Sequence, residues 1–549
     1  MQKTLFFIGL ILSLLSCNVQ QSTPVFKKYD ETSAIVKQQQ HALKRMQFKQ
    51  IQSNYLDLNT VFKPFEKELS KFTFNHYQQL KPFLLEKDIP SIQEAVYKGL
   101  INYEKITLFY LYRIRLFESD TATALHAIIA LNPNVIAEAR EKDKNRPKKL
   151  NNYLYGLPIL LKDNINSTAM PTTAGSYALL HNSTSSDAFV VTKLKENGAL
   201  ILGKLNLSEW AYYLCSGCPV GWSAVGGQTL NPYGRKIFET GGSSSGSGVA
   251  AAANYAVATV GTETSGSILS PSSKNSVVGL KPTVGLLSRS GIVPISSTLD
   301  TPGPMTKFVV DNAIVLAAMT GADINDSATS NANQKIDYAG TLSSASIKGK
   351  RLGVLKPLLS DSIYKKAVDR LKQAGATIIV YEPPKITLNG FTTLLNIDMK
   401  NDLPLYLNKF SDARIKVTSV QDIMQVNLQD SISRIPYGHQ LFTGIVKDTT
   451  AVASFEKIKM QLHKDGIAYF KPKMDEFQLD AVLSMNNNHA GFAAVAKYPC
   501  ITVPMGFSNA GEPAGLTFIG KPFDEQLLLS LAYAFEKLTN SRKLPEKFN

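Results

Sequence analysis

The sequence predicts a single large α/β domain, in which helices cover both faces of a central mixed, mainly parallel β-sheet. From Tyr155 onward, short apolar runs rich in Val, Ile and Ala alternate with loops of Gly, Ser, Thr and Pro. These runs are continuous, a pattern typical of strands buried on both faces of a sheet. Stretches with helical periodicity complete the pattern, and no repeat of about 20–50 residues divides the chain. The sequence therefore favours one α/β body over a repeat protein or several small domains.

The composition is that of a folded protein. The 549 residues are 44% hydrophobic, 9% aromatic and 19% charged, which excludes a disordered or fibrous chain. The formal net charge is +15. No arginine and aromatic patch accompanies this excess, and the chain carries an export signal, so we expect no nucleic-acid partner.

The N-terminus has the pattern of that signal. Lys3 precedes an apolar run from Leu5 to Leu15, which is too short to span about 30 Å of hydrocarbon as a helix. The run ends in Leu-Leu-Ser-Cys17, which resembles a bacterial lipoprotein signal, cleaved before a cysteine that receives lipid. We expect a signal peptide over residues 1–16, lipid on Cys17 and anchoring to a membrane of the bacterial cell envelope. An ordinary cleaved signal with an incidental Cys17 is the alternative.

The stretch after the signal is expected to differ from the main domain. A polar, Gln/Lys-rich run from Asn18 to about Gln52 predicts a tether that becomes helical. Residues 17–87 would then form the lipidated N-terminus, the tether and an extra helical segment, with the main domain at 88–540. Apolar positions at helical spacing predict helices within Asp88–Gly99 and Asn102–Asp120.

The strands of the main domain are predicted from its apolar runs, which are Leu157–Leu161, Ala199–Leu202, Val257–Val260 and Ile501–Val503. Further along the chain, Arg351–Pro384 has the pattern of a strand, a helix that ends at Gly375 and a second strand. This pattern predicts a βαβ unit with two parallel strands.

The cysteines give no sign of a metal site. Cys215, Cys218 and Cys500 are too few for a disulfide framework in a chain of this length. The pair Cys215 and Cys218 has the spacing of half a zinc site, but no second CxxC and no HxxxH completes it. We therefore expect neither a metal nor another cofactor. An oxidising compartment could join the pair, although two free thiols in a loop are the expectation.

Three clusters of polar residues lie at the ends of predicted strands, where open α/β sheets usually build their sites. The first is Lys162, which closes the apolar run Leu157–Leu161. A desolvated lysine has a lowered pKa and can act as a neutral base near pH 7. Taken alone, however, the pattern favours an ordinary strand-end lysine that points to water.

The second cluster is the loop Thr240–Gly248, with the sequence TGGSSSGSG, which precedes a helical run. Serine hydroxyls and backbone N–H groups at a helix N-terminus suit an anion or oxyanion. No Gly-Lys-Ser/Thr follows, so the loop is not a Walker motif. Gly242–Gly246 matches GxSxG, which would make Ser244 the nucleophile of an α/β-hydrolase. Such an elbow follows a strand directly, and the preceding residues make a poor strand.

The third cluster, Gly261–Ile268 with the sequence GTETSGSI, ends another apolar strand. It can be a polar turn, or it can present Ser267 as a nucleophile beside backbone N–H groups that face an oxyanion. One helix and one strand separate it from the serine loop, which returns both loops to the same edge of the sheet. Together the three clusters indicate acyl-transfer chemistry.

The chain resembles the amidase signature family, and within it the bacterial peptide-amidase-like branch. The similarity covers roughly residues 88–537, and its motifs follow the family's order. They are YGLPILLKDNI at 155–165, MPTTAGSYAL at 170–179, GALILGKLNLSEWA at 198–211, GWSAVGGQTLNPY at 221–233, GGSSSGSG at 241–248, GTETSGSI at 261–268, VVGLKPTVGLLSRSGIVPIS at 277–296 and DTPGPM at 300–305.

The resemblance implies the amidase signature fold and hydrolysis of carboxamides by a Ser-Ser-Lys triad. Lys162 matches the lysine of the family's KDN segment, Ser243 the bridging serine of its GGSS loop, and Ser267 its nucleophile. The resemblance further implies a cis peptide bond at the bridging serine. The candidate oxyanion donors are the backbone N–H groups of the three residues that precede the nucleophile, Thr264, Ser265 and Gly266.

This chain departs from the family at Leu269, where many members carry an arginine after the nucleophile. Such an arginine can pair with a carboxylate on the substrate, so its absence predicts a neutral acyl part, as in C-terminally amidated peptides. Arg289 is the nearest arginine in sequence that could substitute. Two rival functions stay open: a serine esterase that uses Ser244, and a non-catalytic exported binding protein on the same scaffold.

Overall fold

The computed structural model describes residues 26–330 and 336–549. The predicted signal peptide and Cys17 lie outside the described residues. Within the described ranges, every helix is too short or too polar to cross a membrane. The same ranges contain no group of three His, Cys, Asp or Glu side chains that could hold a metal ion.

An eleven-stranded sheet forms the centre of the described chain, in the order β1-β3-β2-β6-β8-β7-β12-β13-β11-β9-β10, and β4 and β5 form a separate hairpin. The strands are β1 Ile128–Leu131, β2 Pro158–Lys162, β3 Leu200–Leu205, β4 Trp222–Ser223, β5 Gly227–Gln228, β6 Ala258–Glu263, β7 Val278–Lys281, β8 Thr301–Thr306, β9 Arg351–Leu355, β10 Thr377–Tyr381, β11 Ala481–Met485, β12 Cys500–Phe507 and β13 Pro513–Ile519.

The pairing is mixed. Two parallel blocks, β3-β2-β6 and β11-β9-β10, lie on either side of a centre paired antiparallel. All four predicted apolar runs lie in or overlap strands, and every residue of β2, β3 and β6 is buried, as their continuous apolar character predicts. The predicted α/β class and mixed sheet are confirmed.

Helices flank this sheet. The α-helices are α1 Thr32–Gln38, α2 Leu58–Phe62, α3 Glu66–Leu69, α4 Phe74–Leu84, α5 Ile89–Tyr97, α6 Tyr103–Glu118, α7 Val135–Lys144, α8 Phe189–Glu196, α9 Ser245–Ala252, α10 Leu269–Lys274, α11 Val309–Met319, α12 Ser362–Gln373, α13 Phe391–Phe410, α14 Val420–Leu428, α15 Ser431–Arg434, α16 Gln440–Lys447, α17 Val452–Glu476, α18 Ala490–Ala496 and α19 Glu525–Thr539. Short 3₁₀ helices lie at Lys44–Met46, Lys63–Phe65, Tyr177–Leu179, Glu209–Tyr212, Ser327–Thr329, Leu342–Ser344, Lys356–Ser360 and Glu546–Phe548.

The predicted βαβ unit is present as β9, α12 and β10, and its two strands pair in parallel. The Asp361 carboxylate accepts the N–H groups of Ile363 and Tyr364 and so caps the start of α12. The helix ends before Gly375, whose φ of +95° lies in the left-handed region that favours glycine. The bounds of this helix thus follow from local capping and turn residues, which the sequence itself shows.

The N-terminal segment differs from the predicted tether. From residue 26 it packs against the main body, and Phe48 and Ile51 are fully buried there. The Gln228 N–H donates to the Ile51 carbonyl at 2.8 Å, which fixes the segment beside the β4–β5 hairpin. A few apolar residues in this Gln/Lys-rich stretch anchor it to the main body. The sequence did not predict this packing, because the spacing of these residues follows neither a helix nor a strand period.

Cys215 and Cys218 form a disulfide, which corrects the expectation of two free thiols. Their Cα atoms are 5.9 Å apart, within the range that a disulfide spans without backbone movement. Both residues belong to a buried apolar cluster that includes Trp210 and Phe442. The remaining cysteine of the described chain, Cys500, is buried and free.

Candidate active site

Lys162 is the last residue of β2, which lies between β3 and β6 in the sheet, and its side chain is fully buried. Its Nζ lies 2.7 Å from Ser243 Oγ. Two further contacts, at 2.8 Å to Thr262 Oγ1 and 3.2 Å to the Thr262 carbonyl, fix the amine. The structure thus places this lysine in the interior, against the alternative of a strand-end lysine that points to water.

Burial changes the acidity of this amine. Desolvation lowers the pKa of Lys162 to about 7, while the negative charges of Asp300 and Glu263 act in the opposite direction. A lysine with a pKa near 7 is neutral in a large fraction of molecules at neutral pH. It can therefore accept a proton from the hydroxyl that it contacts.

Ser243 lies two residues before α9, and the peptide bond between Gly242 and Ser243 is cis, as the resemblance implies. The Ser208 N–H donates to the Ser243 carbonyl at 3.0 Å. This bond fixes the backbone of the bridging position, whose hydroxyl meets Lys162.

The nucleophile loop is joined to the serine loop. The Ser244 N–H donates to the Ser267 carbonyl at 3.1 Å, so the two predicted clusters meet as expected. Ser267 is 8% exposed, whereas Ser243 and Lys162 are fully buried. Ser267 lines a cavity of about 470 Å³, whose lining does not include Ser243 or Lys162.

Glu263, the last residue of β6, organises this loop. Its carboxylate accepts the N–H groups of Gly266 at 2.6 Å, Ile268 at 2.7 Å and Leu269 at 3.0 Å. Gly266 has a φ of +84°, a conformation that side chains other than glycine rarely adopt. Because the Gly266 N–H donates to Glu263, Thr264 and Ser265 remain of the three predicted oxyanion donors.

Ser244 has a different environment from its neighbour. It is fully buried, its hydroxyl donates to the Thr262 carbonyl at 3.0 Å, and its Oγ accepts the Thr262 N–H at 3.2 Å. It does not line the cavity that Ser267 lines. This hydroxyl ties the loop to β6, which is a structural role.

The residues after Lys162 hold the end of β2. Asp163 forms a fully buried ion pair with Lys204 of β3, at 3.0 Å, and accepts the Thr173 N–H at 3.0 Å. The Asn164 side-chain amide donates to Thr262 Oγ1 at 3.0 Å. The KDN segment thus supplies one candidate base and two residues that position its surroundings.

Leu269, at the position where many members carry an arginine, does not line the cavity that Ser267 lines. It is buried in an apolar cluster with Phe470 and Cys500. Arg289 does not supply the arginine that Leu269 replaces, because it pairs with Asp326 at 2.5 Å and lines a neighbouring cavity of about 590 Å³. The cavity of Ser267 is instead lined in part by apolar and aromatic side chains, namely Tyr212, Tyr213, Val220, Ile295, Phe391 and Leu395.

Sequence reasoning missed several residues that organise the site. Thr262 and Glu263 lie within the GTETSGSI motif, and Asp300 is the first residue of the DTPGPM motif. The sequence analysis recognised both motifs but assigned no role to these three residues. Thr264 Oγ1 donates to the Asp300 carboxylate at 2.5 Å, which connects the loop to β8. Their functions became visible only from the hydrogen bonds that the fold creates.

The comparisons with known proteins agree with this geometry. Residues 105–484 match the family described as Amidase. A probable amidase of Arabidopsis thaliana is 36% identical over 481 aligned residues, and the match covers 83% of this chain and 92% of the relative.

Two solved structures are also similar. An amidase family protein from Bacillus anthracis is 35% identical, with a TM-score of 0.86 over 90% of this chain and 99% of its own. The native peptide amidase from Stenotrophomonas maltophilia is 38% identical, with a TM-score of 0.80 over 84% of this chain and 99% of its own. The predicted resemblance is confirmed: this chain is an enzyme that belongs to the amidase signature family.

Proposed function

We propose that the protein hydrolyses carboxamide C–N bonds through a triad of Ser267, Ser243 and Lys162 and an acyl-enzyme intermediate. The observation that carries the proposal is the buried Lys162 amine, 2.7 Å from Ser243 Oγ, in a loop whose Ser244 N–H binds the carbonyl of the cavity-lining Ser267. The lowered pKa of Lys162, about 7, suits the amine to its role as the base.

In the first half of the reaction, Ser267 Oγ attacks the carbonyl carbon of the substrate. Its proton passes to Ser243 Oγ, while the Ser243 hydroxyl proton passes to the neutral Lys162 amine. The carbonyl becomes a tetrahedral oxyanion, for which we assign the N–H groups of Thr264 and Ser265 as donors. The C–N bond then breaks, the nitrogen takes the proton back through Ser243, and ammonia or an amine leaves.

In the second half, water replaces the leaving nitrogen. Lys162 and Ser243 take a proton from the water as it attacks the ester carbonyl of the acyl-enzyme. Collapse of the second oxyanion returns the proton to Ser267 and releases a carboxylic acid. The cycle consumes one water and restores the triad.

We propose neutral carboxamides, such as C-terminally amidated peptides, as substrates. The apolar and aromatic side chains of the cavity can hold an uncharged acyl part. Two cations line the cavity, and each is paired within the protein: Arg45 with Glu239 at 3.2 Å, and Lys274 with Glu512 at 2.5 Å. A carboxylate beside the scissile carbonyl would thus lack a free cation. The similar peptide amidase from Stenotrophomonas maltophilia supports the same substrate class.

An assay of ammonia release tests the function and the substrate class together. Amidated peptides, fatty amides, aryl amides and malonamate are offered separately to the purified protein. We expect ammonia from neutral amides, with kcat/KM for malonamate at least about 100-fold lower, because an unpaired carboxylate at the site is desolvated. Efficient hydrolysis of malonamate would refute the neutral-acyl proposal, and release from no amide would overturn the proposed hydrolysis of these carboxamides.

We also propose that the protein is an exported lipoprotein, anchored through lipid on Cys17. The support is the sequence pattern at residues 1–17. Eight residues separate Cys17 from Phe26, so the anchor would hold the folded body within about 30 Å of the membrane surface.

Expression in a bacterial host tests the anchor. The unaltered protein should sediment with membranes, and Cys17→Ser should move it to the soluble fraction, because the thiol that carries the lipid is lost. Cys215→Ser is the matched control for loss of a cysteine elsewhere and should still sediment. Equal fractionation of the unaltered protein and Cys17→Ser would contradict the proposal.

A further inference from the structure

The segment from Ser208 to Gly221 forms a loop whose two ends meet beside the triad. The Ser208 N–H donates to the carbonyl of the bridging Ser243 at 3.0 Å, and its Oγ accepts the Gly221 N–H at 2.8 Å. Between these ends, Tyr212 and Tyr213 line the cavity of the nucleophile and form its aromatic wall. One loop therefore connects the bridging serine with a wall of the substrate cavity.

The backbone that carries the aromatic wall has an unfavourable conformation. Trp210, Ala211 and Tyr212 have φ of +51°, +52° and +74°, in the left-handed region that side chains other than glycine rarely adopt. Residues in this region persist only where surrounding contacts hold them in place. The Tyr212 N–H, which donates to the Ser208 carbonyl at 3.2 Å, makes one such contact. The position of the wall therefore depends on the rest of the loop.

The disulfide turn Cys215–Cys218 supplies a second contact. The Tyr212 hydroxyl donates to the Cys218 carbonyl at 2.7 Å. The two cysteines are buried in the same apolar cluster as Trp210 and Tyr213. A cross-link between residues three apart in sequence limits the conformations of the turn, and so it fixes the carbonyl that Tyr212 contacts. The disulfide thus acts on a tyrosine of the cavity through one hydrogen bond.

We propose that the Cys215–Cys218 disulfide positions Tyr212 in the substrate cavity, so that the enzyme binds its substrate fully only when this cysteine pair is oxidised. The inference rests on the proposed amide hydrolysis and adds a redox requirement to it. The pair forms by exchange with an oxidising disulfide: two thiols become one disulfide, and the oxidant leaves as two thiols. Because disulfides persist in oxidising compartments outside the cytosol, the proposed export would complete the cavity.

Reduction of the wild-type enzyme tests the inference without a substitution. Dithiothreitol opens the disulfide by exchange, and a count of free thiols confirms the opening. For a neutral amide, KM should rise about tenfold, because the substrate must then order the wall as it binds. The value of kcat should stay within about threefold, since Thr262 of β6 holds Lys162 in place. Reoxidation with oxidised glutathione should restore KM.

Tyr212→Phe and Tyr213→Phe form a matched pair of variants. Tyr212→Phe keeps the ring but removes the bond to the Cys218 carbonyl, so its KM should be raised already and change less than about twofold on reduction. The Tyr213 hydroxyl instead donates to the Asn396 side chain at 2.8 Å, so Tyr213→Phe should respond to reduction as the wild type does. Cys500→Ser, at a free cysteine in another apolar cluster, should also keep the wild-type response.

The outcomes separate this inference from the proposed function. An unchanged KM in enzyme whose disulfide is shown to be open overturns the inference. So does a tenfold rise on reduction of Tyr212→Phe, because the disulfide would then act by another route. Unfolding of the reduced enzyme at the assay temperature also overturns it, since the disulfide would then hold the whole fold rather than the wall. Absence of hydrolysis by the oxidised wild-type enzyme overturns the proposed function instead.

Discussion

Ser267→Ala should reduce kcat/KM for a neutral amide by about 10⁴-fold or more, because the acyl-enzyme cannot form without this hydroxyl. The folded state should be retained, since Ser267 lines a cavity and its contact with the serine loop, from the Ser244 N–H, is made by its backbone carbonyl. Ammonia release measures activity, and thermal unfolding checks the fold. In parallel, mass spectrometry after treatment with a fluorophosphonate should locate the adduct on the peptide and residue of Ser267.

Ser244→Ala is the matched control, since it removes the neighbouring serine that the esterase hypothesis requires. Its hydroxyl links the loop to Thr262 of β6, so its loss should lower the free energy of unfolding by about 1–3 kcal/mol. Activity should remain within about tenfold of the wild type, because proton transfer does not pass through this hydroxyl. Labelling of Ser244, together with near-normal activity in Ser267→Ala, would reverse the assignment.

The parts of the fold with strong local signals were predictable. Continuous apolar runs predicted β2, β3 and β6, and helix capping with Gly375 predicted the βαβ unit. The order of strands in the sheet was not predictable, because β12 pairs with β7 on one side, a strand that lies far away in the sequence. Local patterns carry no information on such register.

The candidate site shows the same division. The motifs predicted Lys162, Ser243 and Ser267 as site residues, and their places at strand ends are consistent with the contact of Lys162 with Ser243 and the backbone bond between the two serine loops. The role of Glu263 and the position of Arg45 at the cavity could not be predicted, since each depends on partners that only folding brings near. Glu263 reads as one polar residue among several in a turn, yet it accepts three N–H groups of the nucleophile loop. The burial of Leu269 could not be predicted either, because the comparison with the family gives the residue type at this position and not its surroundings.

The pH dependence of the enzyme should report the ionisation of Lys162. Below its pKa of about 7 the amine is protonated and cannot act as a base, so kcat/KM should fall about tenfold for each pH unit in the acid limb. Above that pKa the rate should level off. Lys162→Met should reduce kcat/KM by about 10⁴-fold and abolish this ionisation. Lys162→Arg should be equally inactive, because a guanidinium stays protonated throughout the range.

Stability gives a second measurement of the same group. The pKa of Lys162 is lower in the folded protein, about 7, than its ordinary value of 10.5, so between these values the unfolded chain binds more protons. The destabilisation that arises from burying this amine is therefore complete below about pH 7 and is relieved as the pH rises toward 10.5. Compared with Lys162→Met, the wild-type protein should gain stability across this window, as measured by denaturant unfolding at several pH values. If the difference in free energy of unfolding between the two proteins does not change with pH, and the variant keeps the acid limb of the kcat/KM profile, another group titrates. If instead the stability advantage of Lys162→Met shrinks as the pH rises, and the wild-type enzyme alone shows an acid limb of kcat/KM near pH 7, Lys162 is the base. One group then accounts for the pH dependence of both the rate and the stability.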